Sequence, residues 1–426
     1  MKIALLTMFN GLSSTYSLVN VVKEQLKMLL DANIEVKMLV SEDCPDNERE
    51  GIFLDKRIEW IKVINHLNGQ LIHWRDYSDP TMNVHKSFFD EVKVIAKDFE
   101  TYLSDVDFCF LHDIHYQGWH LVHNVAIREA QKNLPNVRFL AFTHSAPVNR
   151  PLSVKWPLSA RYTPMPKTTY IYPTISGLPA LAKQYNIAEG RCRAVNNSLD
   201  FLSSMCQVVQ NLSNKIDLLS PEIIIVYPGR LTPGKKFEKV TALAGCIKRT
   251  CEMSVKVIFC DFPSADIKSD TYKKIIINAG VSTGLSSEDI SFTSDLGYPQ
   301  GIPREAVLDL FTISNLFICP SFSESFGLTV LEAASRGNFI VVNECVPALA
   351  ELSKQLKTYT MRWDARNFGF DTHENYHPSE VDYYDEHALR IVNLMREDIA
   401  LNSKTISRIR YNPKWIWENQ LLPLMD

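Results

Sequence analysis

The sequence predicts an α/β protein built from two domains, each with a parallel sheet. Three observations lead to this prediction. The chain has 426 residues, more than a single hydrophobic core usually serves. Short apolar runs of strand length alternate with segments of helical periodicity through both halves. A hydrophobic content of 46% with 22% charged residues is ordinary for a globular protein.

The first domain is predicted to span residues 1–203. It opens with a strand over 2–8, a glycine turn at Gly11 and a helix over 16–30, with apolar residues on one face. Further strands are predicted at 35–40, 108–111, 137–142 and 170–174, with helices at 86–103, 117–132 and 177–185. The composition of residues 44–86, rich in Asp, Asn, His and aromatic residues, indicates an insertion or variable loops.

The second domain is predicted to span residues 222–405, after a linker at 204–221. Its strands are predicted at 223–227, 255–260, 290–293, 316–319 and 339–342, with helices between them. Such alternation implies a parallel sheet in each half of the chain.

Composition excludes several classes of protein. The net charge of −4 argues against a globally basic nucleic-acid binder. The nine cysteines are scattered and form no Cys-x-x-Cys pair, which disfavours a zinc ribbon and a disulfide scaffold and favours a cytoplasmic location. No apolar run reaches the length of a membrane-spanning helix.

Two carboxylates follow the apolar run at 316–320. Glu324 is predicted to lie in the loop after this strand, and Glu332 about two turns into the following helix. In open parallel sheets, ligands bind beyond the carboxyl ends of the strands. Carboxylates suit pairs of hydroxyls, and the free N–H groups of a helix start suit a phosphate. A sugar nucleotide offers both groups.

The segment 320–337 resembles the Glu-x7-Glu signature of the retaining nucleotide-sugar glycosyltransferases of family four. Residues 226–237, a strand followed by a glycine and a basic loop, resemble a second element of that family. The resemblance implies the GT-B fold, two Rossmann-like doubly wound domains with a cleft between them. It further implies a soluble, metal-independent enzyme of the hexosyltransferase class, which moves a sugar from a nucleoside diphosphate sugar to a hydroxyl acceptor without a further cofactor.

The resemblance also assigns roles. Glu332 would hold the ribose hydroxyls, Glu324 a hydroxyl of the transferred sugar, and His144 would contact that sugar from the other domain. The remaining donor-binding residues would be Gly229, Arg230, Lys235 or its neighbour Lys236, and the backbone of Ser325, Phe326, Gly327 and Leu328. The segment 406–426 would cross back to the first domain, as the last helix does in the family.

Charge supports the phosphate role of Arg230 and Lys235. A departing nucleoside diphosphate gains negative charge in the transition state, and fixed cations beside it lower the barrier. Cations at the start of a helix oppose its dipole unless an anion lies between them. The pair is therefore expected to be catalytic, together with Glu324 and His144.

The acceptor is expected to bind on the first domain. Asn10 and Gly11 follow the first strand and partly match a glycine loop of the family, while His112, Asp113 and His115 follow a later strand. Two metal motifs are weighed and rejected, and no metal site is predicted. The pair Asp105 and Asp107 precedes its strand, and the spacing of His112, His115, His120 and His123 matches no common zinc site.

The identity of the acceptor stays open between a glycan, a small molecule and a hydroxylated DNA base. Residues 147–203 carry seven basic residues against two acidic ones, with Trp156, Tyr162, Tyr170 and Tyr172 between them. Such a segment can bind nucleic acid or form a solvated surface. A sugar-nucleotide epimerase and a sugar-nucleotide-binding pseudoenzyme are further alternatives. The oligomeric state is also open.

Overall fold

The computed structural model describes residues 1–72, 75–151, 153–363, 365–367, 370–372 and 380–426. The chain divides into two compact units. Unit 1 comprises Met1–Leu199 with Pro413–Asp426, and unit 2 comprises Asp200–Asn412. Within the described ranges, no helix is long and apolar enough to cross a bilayer.

Unit 1 is built around a seven-stranded parallel sheet with the order β3-β2-β1-β6-β7-β8-β9. Its strands, including the separate β4/β5 hairpin, are β1 (Lys2–Leu6), β2 (Glu35–Ser41), β3 (Ile58–Val63), β4 (His66–Leu67), β5 (Gln70–Leu71), β6 (Phe108–His112), β7 (Arg138–Phe142), β8 (Thr168–Tyr172) and β9 (Cys192–Ala194). Its helices are α1 (Ser17–Asp31), α2 (Phe88–Tyr102), α3 (Leu121–Gln131) and α4 (Leu178–Tyr185). The strand order reverses between β1 and β6, where open α/β sheets bind their ligands.

Unit 2 holds a six-stranded parallel sheet with the order β12-β11-β10-β13-β14-β15. Its strands are β10 (Ile223–Arg230), β11 (Val255–Phe262), β12 (Ile290–Phe292), β13 (Leu316–Cys319), β14 (Phe339–Asn343) and β15 (Tyr359–Met361), with a β16 (Ala365–Asn367)/β17 (Phe370–Thr372) hairpin. Its helices are α5 (Gln207–Ser213), α6 (Phe237–Cys251), α7 (Ser269–Thr283), α8 (Arg304–Ile313), α9 (Leu328–Ser335), α10 (Pro347–Leu356), α11 (Glu380–Glu397) and α12 (Ile399–Arg410). The order reverses between β10 and β13.

The predicted fold class is confirmed: the protein is α/β, with two Rossmann-like doubly wound sheets. The central strands are apolar because both their faces are covered. β6 and β13 are buried at every position. Such continuous apolar runs are the sequence signal of buried parallel strands.

The prediction for residues 44–86 needs a correction, because this region is not only loops. It contains β3, which pairs in parallel with β2 from Ile58 beside Val36 to Val63 beside Ser41. Ile58, Ile61 and Val63 are buried while the residues between them are at least partly exposed. An edge strand with this alternation has a weaker apolar signal than the central strands.

The boundaries of the units also differ from the predicted ones. The predicted linker 204–221 contains α5, whose Val209 and Leu212 are fully buried in the core of unit 2. The first stretch of unit 1 ends at Leu199 rather than at residue 203. At the other end α12 belongs to unit 2, and only Pro413–Asp426, which includes α13 (Pro413–Ile416), belongs to unit 1.

The segment Pro413–Asp426 packs into the core of unit 1. Ile416, Leu421 and Met425 are buried there beside α1. The guanidinium of Arg138 donates hydrogen bonds to the carbonyl oxygens of Leu424 and Met425, at 3.0 and 3.1 Å. Apolar contacts and backbone hydrogen bonds therefore both hold this segment in place.

Candidate active site

Two loops of unit 2 leave the sheet at the reversal of strand order, one after β10 and one after β13. The hydroxyl of Tyr227 donates a hydrogen bond to the carbonyl oxygen of Lys235 at 2.9 Å and lies 3.1 Å from the hydroxyl of Ser321. The amide of Phe322 donates to the carbonyl oxygen of Gly234 at 2.8 Å. Side-chain and backbone hydrogen bonds thus connect the loop after β10, which carries Lys235, to the loop after β13, which carries Glu324.

Lys235 and Glu324 form an ion pair across these loops, between Nζ and Oε1. The two side chains keep 31% and 15% of their surface exposed, so solvent and ligands can reach them. Lys236 points elsewhere, with its Nζ 5.3 Å from the centre of the Phe322 ring. Arg230 ends β10 at the same edge of the sheet and is exposed. Of the two lysines, Lys235 is the one beside the acid.

The start of α9 requires a glycine at position 327. Gly327 has a φ of 90°, a left-handed conformation that side chains rarely adopt. A Cβ there would lie 3.0 Å from Cδ2 of Leu349. The predicted donor-binding neighbours Ser325, Phe326 and Leu328 are exposed. Gly229 differs from Gly327, because a Cβ there would make only ordinary contacts, the nearest at 3.7 Å.

Glu332 lies on α9 with a side chain that is only 11% exposed. Its Oε1 accepts a hydrogen bond from Nε of Arg304, at 2.7 Å. Arg304 was not predicted from the sequence, because its position at a helix start indicates a nearby anion without identifying Glu332 as that anion. Arg304 is the first residue of α8, where a cation opposes the helix dipole unless an anion is near.

A cavity of about 330 Å³ opens at the reversal of strand order in unit 1. Its walls come from the end of β1, the start of α1 and the residues after β6. The lining residues are Thr7, Met8, Phe9, Asn10, Tyr16, Leu18, His112, Asp113, Gln117, Trp119 and His120. Three of the five predicted acceptor-side residues, Asn10, His112 and Asp113, are therefore brought together, whereas Gly11 and His115 are not among the lining residues.

A polar network stands behind this cavity. Nδ1 of His112 lies 3.0 Å from Nε2 of His144, and the two rings are stacked. Asp113 accepts hydrogen bonds from the amide of His144 at 3.0 Å and from the hydroxyl of Tyr116 at 2.8 Å. The sequence-predicted His144 is thus held by two of the acceptor-side residues.

Burial sets the charge states of this network. It lowers the pKa of His144 to about 4 and that of His112 well below its ordinary value, so both rings are neutral near pH 7. Burial also raises the pKa of Asp113 to about 6 against the opposing effect of its hydrogen bonds. A neutral imidazole can both donate and accept a hydrogen bond, so the network can bond to a ligand group that does either.

His115 points into the core rather than towards the cavity. Its side chain is fully buried, and its Nε2 lies 2.9 Å from the hydroxyl of Thr143. The cause is the left-handed backbone of Asp113, with φ of 62°, which turns the chain sharply after β6. A strand-end position alone did not reveal this turn.

The loop after β1 is already occupied by a carboxylate. Oε2 of Glu48 accepts a hydrogen bond from the amide of Leu12 at 2.7 Å. The same oxygen would lie 3.2 Å from a Cβ on Gly11. Glu48 is remote in sequence, and no local motif indicated that it contacts this loop.

The rejected metal motifs have structural roles. Asp105 accepts hydrogen bonds from the ammonium groups of Lys2 and Lys37, and Asp107 accepts one from the backbone amide of Lys2. These contacts lie at the start of β1, away from the cavity. Across the described ranges, no group of three or more His, Cys, Asp or Glu side chains is arranged to hold a metal ion.

Some side chains of the basic segment 147–203 form contacts within unit 1. The guanidinium groups of Arg161, Arg191 and Arg193 donate hydrogen bonds to backbone carbonyl oxygens. Of the four aromatic residues predicted to stack on bases, Tyr162 and Tyr170 are buried. Trp156 remains 49% exposed. Part of the segment therefore stabilises the fold, while Arg150, Lys155 and Lys183 are exposed.

Comparison with known sequences assigns the second unit to a class. Residues 209–360 match the family described as Glycosyl transferases group 1. The match covers both loops of unit 2 and the residues Arg230, Lys235, Glu324 and Glu332. This part of the chain is therefore a glycosyltransferase group 1 domain.

Two curated relatives are similar over 120 residues: the D-inositol 3-phosphate glycosyltransferases of Corynebacterium efficiens, 26% identical, and of Corynebacterium glutamicum, 27% identical. The similarity spans 28% of this chain and 26% of each relative, about a quarter of their length.

Solved structures with similar folds include a glycosyltransferase from Rickettsia africae, 15% identical with a TM-score of 0.37, covering 100% of this chain and 98% of that one. Another is a trehalose-6-phosphate protein of E. coli bound to UDP-2-fluoro glucose, 11% identical with a TM-score of 0.38, covering 100% and 99%. These scores are too low to support an argument, and the fold class rests on the sheet topology.

Proposed function

We propose that the protein is a retaining, metal-independent glycosyltransferase of the cytoplasm. It would bind a nucleoside diphosphate sugar on unit 2 and transfer the sugar to a hydroxyl group of an acceptor. The observation that carries the proposal is the contact of Lys235 with Glu324 at the ligand-binding edge of a glycosyltransferase group 1 domain. Arg230 ends β10 at the same edge.

The charges of this site suit the chemistry. The acceptor hydroxyl forms a bond to the anomeric carbon, the bond from that carbon to the diphosphate breaks, and the proton passes to the departing phosphate. Arg230 and Lys235 would stabilise the negative charge that develops on the diphosphate. Glu324 would hold a sugar hydroxyl and Glu332 the ribose. The role that the family resemblance gives to His144 stays a prediction.

We propose the same-face route that gives retention, which the family resemblance implies. Lys235 is paired with Glu324. A diphosphate would compete for the ammonium group and leave the carboxylate available to the sugar. Donor binding would thus prepare both residues for their roles.

Turnover of a panel of UDP-, GDP- and ADP-sugars tests the proposal and identifies the nucleotide. We expect one nucleotide class to bind and to be consumed, with the anomeric configuration kept in the product. Binding of a sugar nucleotide without any transfer or hydrolysis would indicate a pseudoenzyme. Conversion of the donor to its epimer would indicate an isomerase.

Activity should not depend on a divalent metal. The cations Arg230 and Lys235 would take the place of the metal that neutralises a diphosphate in other transferases. We expect an excess of EDTA to leave the transfer rate largely unchanged. Complete loss of activity that Mg²⁺ or Mn²⁺ restores would contradict metal independence.

The acceptor is not expected to be a DNA base. Nucleic acid contacted through several phosphates releases counterions, so its affinity falls steeply with salt. We expect no such binding of single- or double-stranded DNA from about 50 to 200 mM salt. Steep salt-dependent binding that is weakened by neutralising Arg150, Lys155 and Lys183 would support the DNA alternative. Arg161 is left intact in this variant because it bonds to backbone carbonyl oxygens of unit 1.

A further inference from the structure

We propose that the cavity of unit 1 binds an uncharged, polyhydroxylated ring, a sugar or a cyclitol, as the acceptor. The ring would be held by hydrogen bonds to His112 and Asp113 and by contact with the aromatic face of Trp119. The inference rests on the proposed function, because it names the acceptor class for that transfer. It separates this chain from its relatives, whose name specifies a phosphorylated inositol.

The charge of the cavity is the first observation. Its lining residues include neither Lys nor Arg. Protein sites for phosphate esters are typically built from these cations, whose charged N–H groups bind the phosphate oxygens. The lining does include Asp113, which is mostly ionised at pH 7 because its pKa is about 6. A phosphate group would therefore meet repulsion here without a compensating cation.

The loop after β1, beside the cavity, also contacts a carboxylate. Asn10 lines the cavity, and two residues further on the amide of Leu12 already donates to the carboxylate of Glu48. Backbone amides of such loops bind phosphate when they are free. Here an internal anion holds the amide, so this loop also favours an uncharged ligand.

His112, one of the lining residues, has an unsatisfied polar atom. Its side chain is fully buried, and its Nε2 has no hydrogen-bond partner among the described residues, although its Nδ1 contacts His144. Leaving a buried polar atom unpaired is costly, so such an atom often marks a ligand position. A hydroxyl group can satisfy Nε2 in either tautomer because it both donates and accepts.

Aromatic surface completes the site. Trp119 and Tyr16 are 40% and 50% exposed at the cavity, beside the apolar residues Met8 and Leu18. Rings of this kind pack against the C–H face of a sugar or cyclitol while the hydroxyl groups reach polar partners. The volume of about 330 Å³ is at the lower end of small-molecule pockets and suits a small ring system.

A pair of probes that differ by one phosphate group tests the proposal. Binding of myo-inositol, methyl glucosides, methyl mannosides and D-inositol 3-phosphate to the full chain would be measured by saturation-transfer NMR, with UDP-, GDP- and ADP-sugar binding measured separately. We expect at least one uncharged ring to bind, and myo-inositol to bind at least about tenfold more tightly than its phosphate ester, because Asp113 repels the phosphate group.

Three variants locate the binding. Trp119→Ala should weaken binding of the uncharged ring about tenfold, whereas the matched control Trp156→Ala, an exposed tryptophan outside the cavity, should not. Glu48→Gln should improve binding of the phosphate ester by removing a negative charge. Tighter binding of the phosphate ester than of inositol in the native protein would overturn the proposal.

Donor binding shows whether a negative result overturns only the acceptor proposal or the proposed function as well. If a nucleotide sugar binds but no uncharged ring does, the acceptor proposal is wrong and the proposed function stands. Binding of a hydroxymethylated pyrimidine nucleoside in place of every polyol would likewise overturn the acceptor class. If no nucleotide sugar binds, the proposed function itself fails.

Discussion

Replacing Lys235 with Ala should lower kcat of sugar transfer by about 10²-fold or more, because the cation that we propose to stabilise the departing diphosphate is lost. The same substitution leaves Glu324 without its ion-pair partner, next to the phosphate position. KM for the donor should change less than kcat, since the charge that Lys235 stabilises develops during the reaction. Steady-state kinetics with the donor identified by the panel would measure both constants.

Lys236→Ala provides a matched control for this prediction. The two lysines are adjacent, but Lys236 lies over the Phe322 ring and is not paired with Glu324. We expect this variant to lose less than about tenfold in kcat. Arg230→Ala should resemble Lys235→Ala. Near-native turnover in both Arg230→Ala and Lys235→Ala would show that the phosphate assignment is wrong.

Replacing Glu324 with Gln should also lower kcat by about 10²-fold, because an amide keeps the size of the carboxylate but loses its charge and its acceptor-only character. Glu332→Gln should instead mainly raise KM for the donor, since the ribose hydroxyls are remote from the reacting bond. Comparing the effects of the two substitutions on kcat and KM thus separates the roles of the two acids.

The double variant Lys235→Ala/Glu324→Gln tests whether the two residues act as a pair. Residues that act as a unit have strongly non-additive effects, so the combined loss should be close to that of the larger single loss. Fully multiplicative losses would indicate that the ion pair has no part in preparing the site. Unchanged kcat in Glu324→Gln would remove the proposed sugar contact altogether.

The sequence revealed those parts of the fold and site that depend on local pattern. Buried parallel strands such as β6 and β13 are continuous apolar runs, so their positions were predicted to within a residue. The acids Glu324 and Glu332 and the basic loop around Lys235 lie in short segments with fixed spacing. Local chain geometry brings each of these groups to the same edge of the unit 2 sheet.

Features that depend on contacts between distant segments could not be predicted. Glu48 reaches the amide of Leu12 from 36 residues away, and Arg304 reaches Glu332 from 28. His115 was predicted to face the ligand edge, but its side chain is buried in the core and contacts Thr143, 28 residues away. In each case tertiary packing, and not a local propensity, decides where the side chain lies.

Unit 1 is formed by two separate stretches of the chain, and this affects the order in which the two units complete their cores during translation. Residues of Met1–Leu199 leave the ribosome first, yet Ile416, Leu421 and Met425 fill part of their core. Domains generally fold as units while the chain is synthesised, starting from the N-terminal end. Here unit 2 is fully synthesised while unit 1 still lacks its last apolar segment. The unit that emerges first is therefore the last to complete its core, and until then it exposes the apolar surface that this segment later covers.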